Sequence, residues 1–262
     1  MTPQRPISTM RITPPPGGWL PPWPSVAELA GALPPGSWTL VGGLMTQLHT
    51  IHRGIGIVRP TNDVDIVLHI EARRGLPALA ARELETLGYR LLPSIDPRNN
   101  TAHRFVRSSN TVDLVTSTAD EQVDMLIADH AAPRVIETLR GRTMVQIDGG
   151  TQALRRTINA EITLGSGGDV TISVPRAFGA LILKAAAYRT DSRDRDRHLF
   201  DAAALLACID DPVEEGEALR GSDRGRIATL QHALQRDHPA WRQLPSRVRG
   251  DAEAALRILA AH

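Results

Sequence analysis

Two carboxylates stand one residue apart inside an apolar run, Thr61-Asn62-Asp63-Val64-Asp65-Ile66-Val67, and no other feature restricts this chain as much. Successive side chains of a strand point to opposite faces, so Asp63 and Asp65 share one face while Val64, Ile66 and Leu68 can enter a core on the other. Paired carboxylates suit a hard divalent cation, Mg²⁺ or Mn²⁺, which keeps water and phosphate oxygens as its remaining ligands. Such a seat predicts a shallow site at the edge of a sheet rather than a closed cage. The chemistry it serves is phosphoryl or nucleotidyl transfer.

Upstream, Gly42-Gly43 follows an apolar run that begins at Trp38 and precedes an amphipathic stretch, about Leu44 to His52, predicted to be a helix. Glycine lets a backbone turn tightly and approach a phosphate, and the free N–H groups of a helix start favour an anion. A Gly-Gly pair alone marks only a turn, and an isolated Asp-x-Asp occurs on solvated strand ends. The pair followed by a helix and then Asp63-Val64-Asp65 points to a nucleotide site. Arg59, just before the acidic strand, either contacts phosphate or covers the sheet edge.

Among 30 lysines and arginines, Lys184 is the only lysine. Where arginine fills every other cationic position, a lysine on an Ala- and Leu-rich helix indicates a need for a compact ammonium, as in gripping a triphosphate, rather than a planar fork. Two further aspartates lie in apolar strand patterns, Asp113 in Thr111-Val112-Asp113-Leu114 and Asp124 in Gln122-Val123-Asp124-Met125-Leu126, and either could complete an acidic site.

A length of 262 residues with 42% apolar content supports a real core, and a net charge of +1 excludes a strongly basic nucleic-acid coat, so any nucleic-acid contact must come from a local patch. The single Cys208 lies in an apolar helical stretch and reads as a buried, inert thiol, with no disulfide framework. His49 and His52 are helix neighbours without cysteine partners and read as structural. An apolar leader and a run long enough to span a membrane are both missing from the sequence, so a cytoplasmic protein without a membrane partner is expected.

Residues 1–24 carry eight prolines and read as an extended arm. Ser25-Val26-Ala27-Glu28 has capping-box spacing and predicts a short helix. A strand over Ser37–Val41, a helix from Pro77 to about Leu87, and strands around Ala102–Arg107, Thr111–Val115 and Gln122–Ile127 follow. From Pro175 the pattern turns helical, over Arg176–Tyr188, Arg197–Ile209, Asp223–Arg236 and Arg247–Ala261. The expected class is therefore α+β, a mixed sheet with flanking helices over residues 25–174 and a mostly helical half over 175–262, with the nucleotide site in the crease between them. The loop carrying Asp191, Asp194 and Asp196 reads as a solvated, mixed-charge connection.

The stretches LVGGLMTQLH, RPTNDVDIVL, AHRFVR, VDMLIADH, GGTQALRR and VPRAFGALILKAAAYR, followed by RHLFDAAALLA, span most of residues 38–208. Together they resemble the polymerase-β-like nucleotidyltransferase superfamily and, within it, the AbiEii-type (MenT-like) toxins of bacterial toxin–antitoxin systems. The resemblance implies a nucleotidyltransferase-like fold, with Asp63 and Asp65 as metal ligands, Gly42 and Gly43 against the nucleotide, and a nucleotide-contacting role for Lys184. It favours Asp124 over Asp113 as third carboxylate, serving as metal ligand or as base. It also matches Asp201 to an acidic position that orients the lysine or takes part in transfer. Arg197-His198 stands where many relatives carry a basic residue followed by aspartate, and that departure removes one acid of the pattern.

The resemblance further implies Mg²⁺ with an NTP co-substrate, an RNA acceptor such as the 3′ end of tRNA, and a cognate antitoxin. Arg134, Arg140, Arg142, Arg155 and Arg156 form the candidate acceptor surface. Three alternatives stay open: a small-molecule (antibiotic) nucleotidyltransferase, a metal-dependent glycosyltransferase, and a catalytically silent binding module that keeps the fold.

Overall fold

A computed structural model describes residues 9–56, 59–92, 94, 100–108, 120–129, 138–163 and 168–262. The first half carries β1 (Thr9–Ile12), α1 (Trp23–Ala32), β2 (Trp38–Leu40), α2 (Gly42–His52), β3 (Asp63–Leu68), α3 (Leu76–Thr86), β4 (Arg90–Leu91), β5 (Thr101–Ala102), β6 (Arg104–Arg107) and β7 (Glu121–Ala128). Next come β8 (Thr138–Leu139), β9 (Arg142–Met144), β10 (Gln146–Ile147), α4 (Gly150–Leu154), β11 (Thr157–Thr163) and β12 (Asp169–Pro175). The chain ends in α5 (Ala177–Thr190), α6 (Asp196–Leu206), α7 (Pro212–Glu217), α8 (Asp223–Ala233), α9 (Pro239–Arg242) and α10 (Ser246–Ala261).

The main sheet has the order β1-β11-β12-β2-β3-β7-β6-β4, with β10 paired to β7 off this path. It is mixed: β3 runs antiparallel to β2 and parallel to β7, and β7 runs antiparallel to β6. The α+β class and the helical second half are as expected. The site's place is not. β3 lies in the interior of the sheet between β2 and β7, so the carboxylates stand at the N-terminal end of a central strand instead of at a sheet edge.

Alternation along β3 divides two hydrophobic clusters among the described residues. Val64, Ile66 and Leu68 join α1, α3 and the inner residues Val123, Met125 and Ile127 of β7 in one cluster. Val67 and Ala128, on the opposite face, join Val41, Met45 and the helices α5, α6, α8 and α10 in the other. Asp63, Asp65 and Asp124 therefore face the helical half. The helix α5 is buried along Ala177–Ala186 on nearly all sides, as an all-apolar helix must be, and it carries Lys184 into that interior.

From residue 9 onward the proline-rich arm joins the fold: Met10 and Ile12 are buried, and β1 pairs in parallel with β11 at the edge of the sheet. Two local expectations are corrected. Ser25 does not cap α1; the helix begins earlier, at Trp23, and Ser25 Oγ donates to Glu121. The expected strand over Ala102–Arg107 breaks at His103, with Ala102 pairing β9 in a small three-stranded sheet and Arg104–Arg107 pairing β7. The segments 111–115 and Asp113 lie outside the described residues, as does Arg134.

Candidate active site

Asp65 and Asp124 are direct partners in the parallel register of β3 and β7, and Asp63 stands opposite Gln122 one pleat earlier. Register partners project from the same face, and one carboxylate oxygen from each of Asp63, Asp65 and Asp124 lies within 4.8 Å of the others. Oxygens sharing one Mg²⁺ at its usual bond length stand roughly 3–4 Å apart, so a small inward movement completes a seat for a divalent cation. The donor set fits, since all three are hard oxygen ligands and space beside them remains for water or phosphate.

The electrostatics agree with that use. Burial, then the nearby charges of Asp63 and Asp124, push the Asp65 carboxyl up to about 7. A bound cation relieves this repulsion. Thr61 Oγ donates to Asp63 Oδ1 at 2.5 Å and fixes that carboxylate. Asp124 is held harder still: Arg104 forks onto it, Nε to Oδ1 at 3.0 Å and Nη2 to Oδ2 at 2.9 Å, while Gln122 donates to Oδ2 at 3.2 Å.

The glycine pair shapes the wall beside the acids. Gly42 has φ +69°, and a Cβ there would stand 2.6 Å from Asp65 Cγ and overlap Oδ2. A Cβ at Gly43 would stand 2.8 Å from Thr61. Both glycines are therefore required for β3 to lie against the start of α2, and Gly42 opens onto a cavity that Asp65 also lines. α2 begins without a side-chain cap, so its first-turn amides have no side-chain acceptor.

That cavity, about 400 Å³, lies between the sheet and the helical half and is lined by Gly42, Met45, Asp65, Lys184, Arg197 and His198, among others. The volume is within the range of about 300–1,000 Å³ common to small-molecule clefts. Lys184 is 5% exposed, and its Nζ lies 2.6 Å from Asp201 Oδ2. Arg59 grips the same carboxylate through Nε and Nη2, each at 3.2 Å. Burial alone would raise the Asp201 carboxyl, yet Lys184 and Arg59 together hold it below the usual range. Arg59 is therefore anchored by Asp201, with 30% of its side chain still exposed.

The sequence reading missed one cluster. Asp191 is not simply solvated: it accepts hydrogen bonds from the Arg193 and Asp194 amides, from Arg197 Nη2 at 3.0 Å and from His198 Nε2 at 3.0 Å. The backbone bonds lead in pulling its carboxyl well below the usual range. Burial, followed by Lys184, lowers His198. The Asp191 to His198 spacing of seven residues, across a loop and into the next helix, is the only sequence signal of this pair. Of the candidate acceptor arginines, Arg156 is tied to buried Asp223 at 2.8 Å and Arg140 to Glu85, whereas Arg155 is exposed. Cys208 is buried and its thiol is pushed up to about 12, an inert state. His49 is not among the residues lining the cavity; its Nε2 donates to the Pro175 carbonyl at 2.8 Å.

No family model matches the chain, and no curated protein matches it. Among solved structures it is similar to an antigenic nucleotidyltransferase-like protein from Paracoccidioides brasiliensis, at 14% identity and a TM-score of 0.42 over 84% of each chain. The functional reading rests instead on the geometry of the site. Among the described residues no helix is long and apolar enough to cross a membrane.

Proposed function

We propose that the protein is a divalent-metal-dependent nucleotidyltransferase that moves a nucleoside monophosphate from an NTP to an RNA acceptor, with the 3′ end of tRNA as the first candidate. The observation that carries this reading is the convergence of Asp63, Asp65 and Asp124 at one end of the sheet, beside a cavity shared by Gly42 and the buried Lys184. Mg²⁺ or Mn²⁺ at the acids would neutralise and orient the phosphates. Lys184, held by Asp201, presents a compact positive charge to the triphosphate. Gly42 and the uncapped start of α2 let phosphate oxygens approach backbone N–H groups. In the transfer, the acceptor hydroxyl oxygen bonds to the α-phosphorus, its proton passes to a carboxylate of the cluster, and the bond to the β-phosphate oxygen breaks with its electron pair leaving on pyrophosphate.

The toxin role and the cognate antitoxin rest on the sequence resemblance to AbiEii-type proteins. A small-molecule acceptor is the second reading. It is favoured by Arg156 and Arg140 being committed to Asp223 and Glu85, which leaves less free positive charge for an RNA backbone.

Incubating the protein with Mg²⁺, each α-labelled NTP in turn and total tRNA, beside Asp63→Ala, tests both. Label on RNA that the variant abolishes supports the first reading and names the nucleotide. Nucleotide binding without labelled RNA sinks the RNA acceptor and directs the search to small hydroxyl compounds.

A further inference from the structure

We infer that Arg104 limits the resting acidic cluster to a single divalent cation by standing where the charge of a second would otherwise be needed. The inference rests on the metal-dependent reading of the site. Register places Arg104 of β6 opposite Asp124 of β7, which is opposite Asp65 of β3, so the three side chains form one row on one face of the sheet. The guanidinium spans both oxygens of Asp124, a bidentate geometry that uses one lone pair on each and fixes the carboxylate plane.

Three carboxylates and one guanidinium leave two net negative charges, the charge that one divalent cation balances. The surrounding groups do not ask for more. Arg197 is matched by Asp191, Lys184 and Arg59 share the single carboxylate of Asp201, and the one positive charge left over is offset by Asp148, which also lines the cavity. Before an anionic nucleotide arrives, a second cation at the acids would meet the Arg104 guanidinium, which already balances one of the three carboxylates. Asp63 and Asp65, which carry no such fork, form the seat of the one ion, and Asp124 completes it from the lone pair left on Oδ1, since Oδ2 accepts from both Arg104 and Gln122.

Counting bound Mn²⁺ in the nucleotide-free full chain tests this, with free Mn²⁺ read by its paramagnetic resonance signal. Wild type is expected to bind one equivalent. Arg104→Gln is expected to admit a second, or to tighten second-site binding on the order of tenfold or more. Arg104→Lys keeps the charge and is expected to stay at one. Two equivalents in wild type overturn the inference whether or not either variant folds; so does a folded Arg104→Gln with unchanged number and affinity, or wild type that binds no Mn²⁺. The outcomes separate from those of label transfer: one equivalent in wild type with two in Arg104→Gln, but no labelled RNA, removes the RNA acceptor and leaves the role of Arg104 standing.

Discussion

At the scale of single residues, the site depends on two side chains that cannot be enlarged. Gly42 combines a left-handed φ with direct contact to Asp65, so any Cβ displaces the carboxylate that faces the cavity. Gly42→Ala is expected to lose about 1–3 kcal/mol of stability and to weaken Mn²⁺ binding, checked by urea unfolding and metal titration on the same sample. Retained metal affinity would show that Asp65 is not a ligand. Lys184 is nearly enclosed, and its ammonium contacts Asp201, whose two oxygens Arg59 already holds, so a second guanidinium fork there would have to displace the first. Lys184→Arg is therefore expected to keep the positive charge yet lose on the order of hundredfold in turnover, read from initial rates of label transfer. A variant as active as wild type would mean that charge alone, not the compact ammonium, is what the cavity uses.

Among the elements, α2 determines how closely the glycine pair sits against β3, and it is pinned at its far end by His49. The ring lies 2.8 Å from the Pro175 carbonyl at the end of β12, and burial holds it down to about 4 against an ordinary value of 6.5. Between those values the unfolded chain binds a proton that the folded chain refuses. Stability from this group is therefore complete above pH 6.5 and is lost as pH falls toward 4, amounting to about 3 kcal/mol. Denaturation midpoints at pH 7.5 and pH 4.5 should differ more in wild type than in His49→Gln; equal differences would place the acid sensitivity elsewhere. The hairpin of β11 and β12 was open to the same alternation argument as β3, through Ile158, Ala160 and Ile162 and then Val170, Ile172 and Val174. It was missed because Asn159 and Glu161, and then Thr171 and Ser173, dilute its apolar signal.

For the molecule as a whole, the sheet and the helical half are joined by more than apolar packing. Arg156, at the start of β11, reaches across to Asp223 at the first residue of α8, which is fully buried, and also lies over the Phe178 ring of α5. Removing one partner of a buried ion pair strands the other, so Asp223→Ala is expected to cost about 3–5 kcal/mol. Because the pair is remote from the acids in register, the folded variant should still bind Mn²⁺ with unchanged affinity; a parallel loss would show that the two halves are coupled through this contact. The sequence by itself determined what short-range physics determines. Alternation placed Asp63 and Asp65 on one face of a strand and Val64, Ile66 and Leu68 in a core; the order of strand and helix patterns along the chain predicted a mixed class with a helical end; and the lone lysine marked Lys184. Only the tertiary structure decided which groups meet. Strand order moved the site from an edge to the middle of the sheet, register brought Asp124 beside Asp65 and set Arg104 upon it, and helix packing delivered Arg59, Lys184 and Asp201 to one another and closed Asp191 onto His198. Those contacts join residues distant in the chain, and nothing in local periodicity carries information about a partner that folding alone brings near.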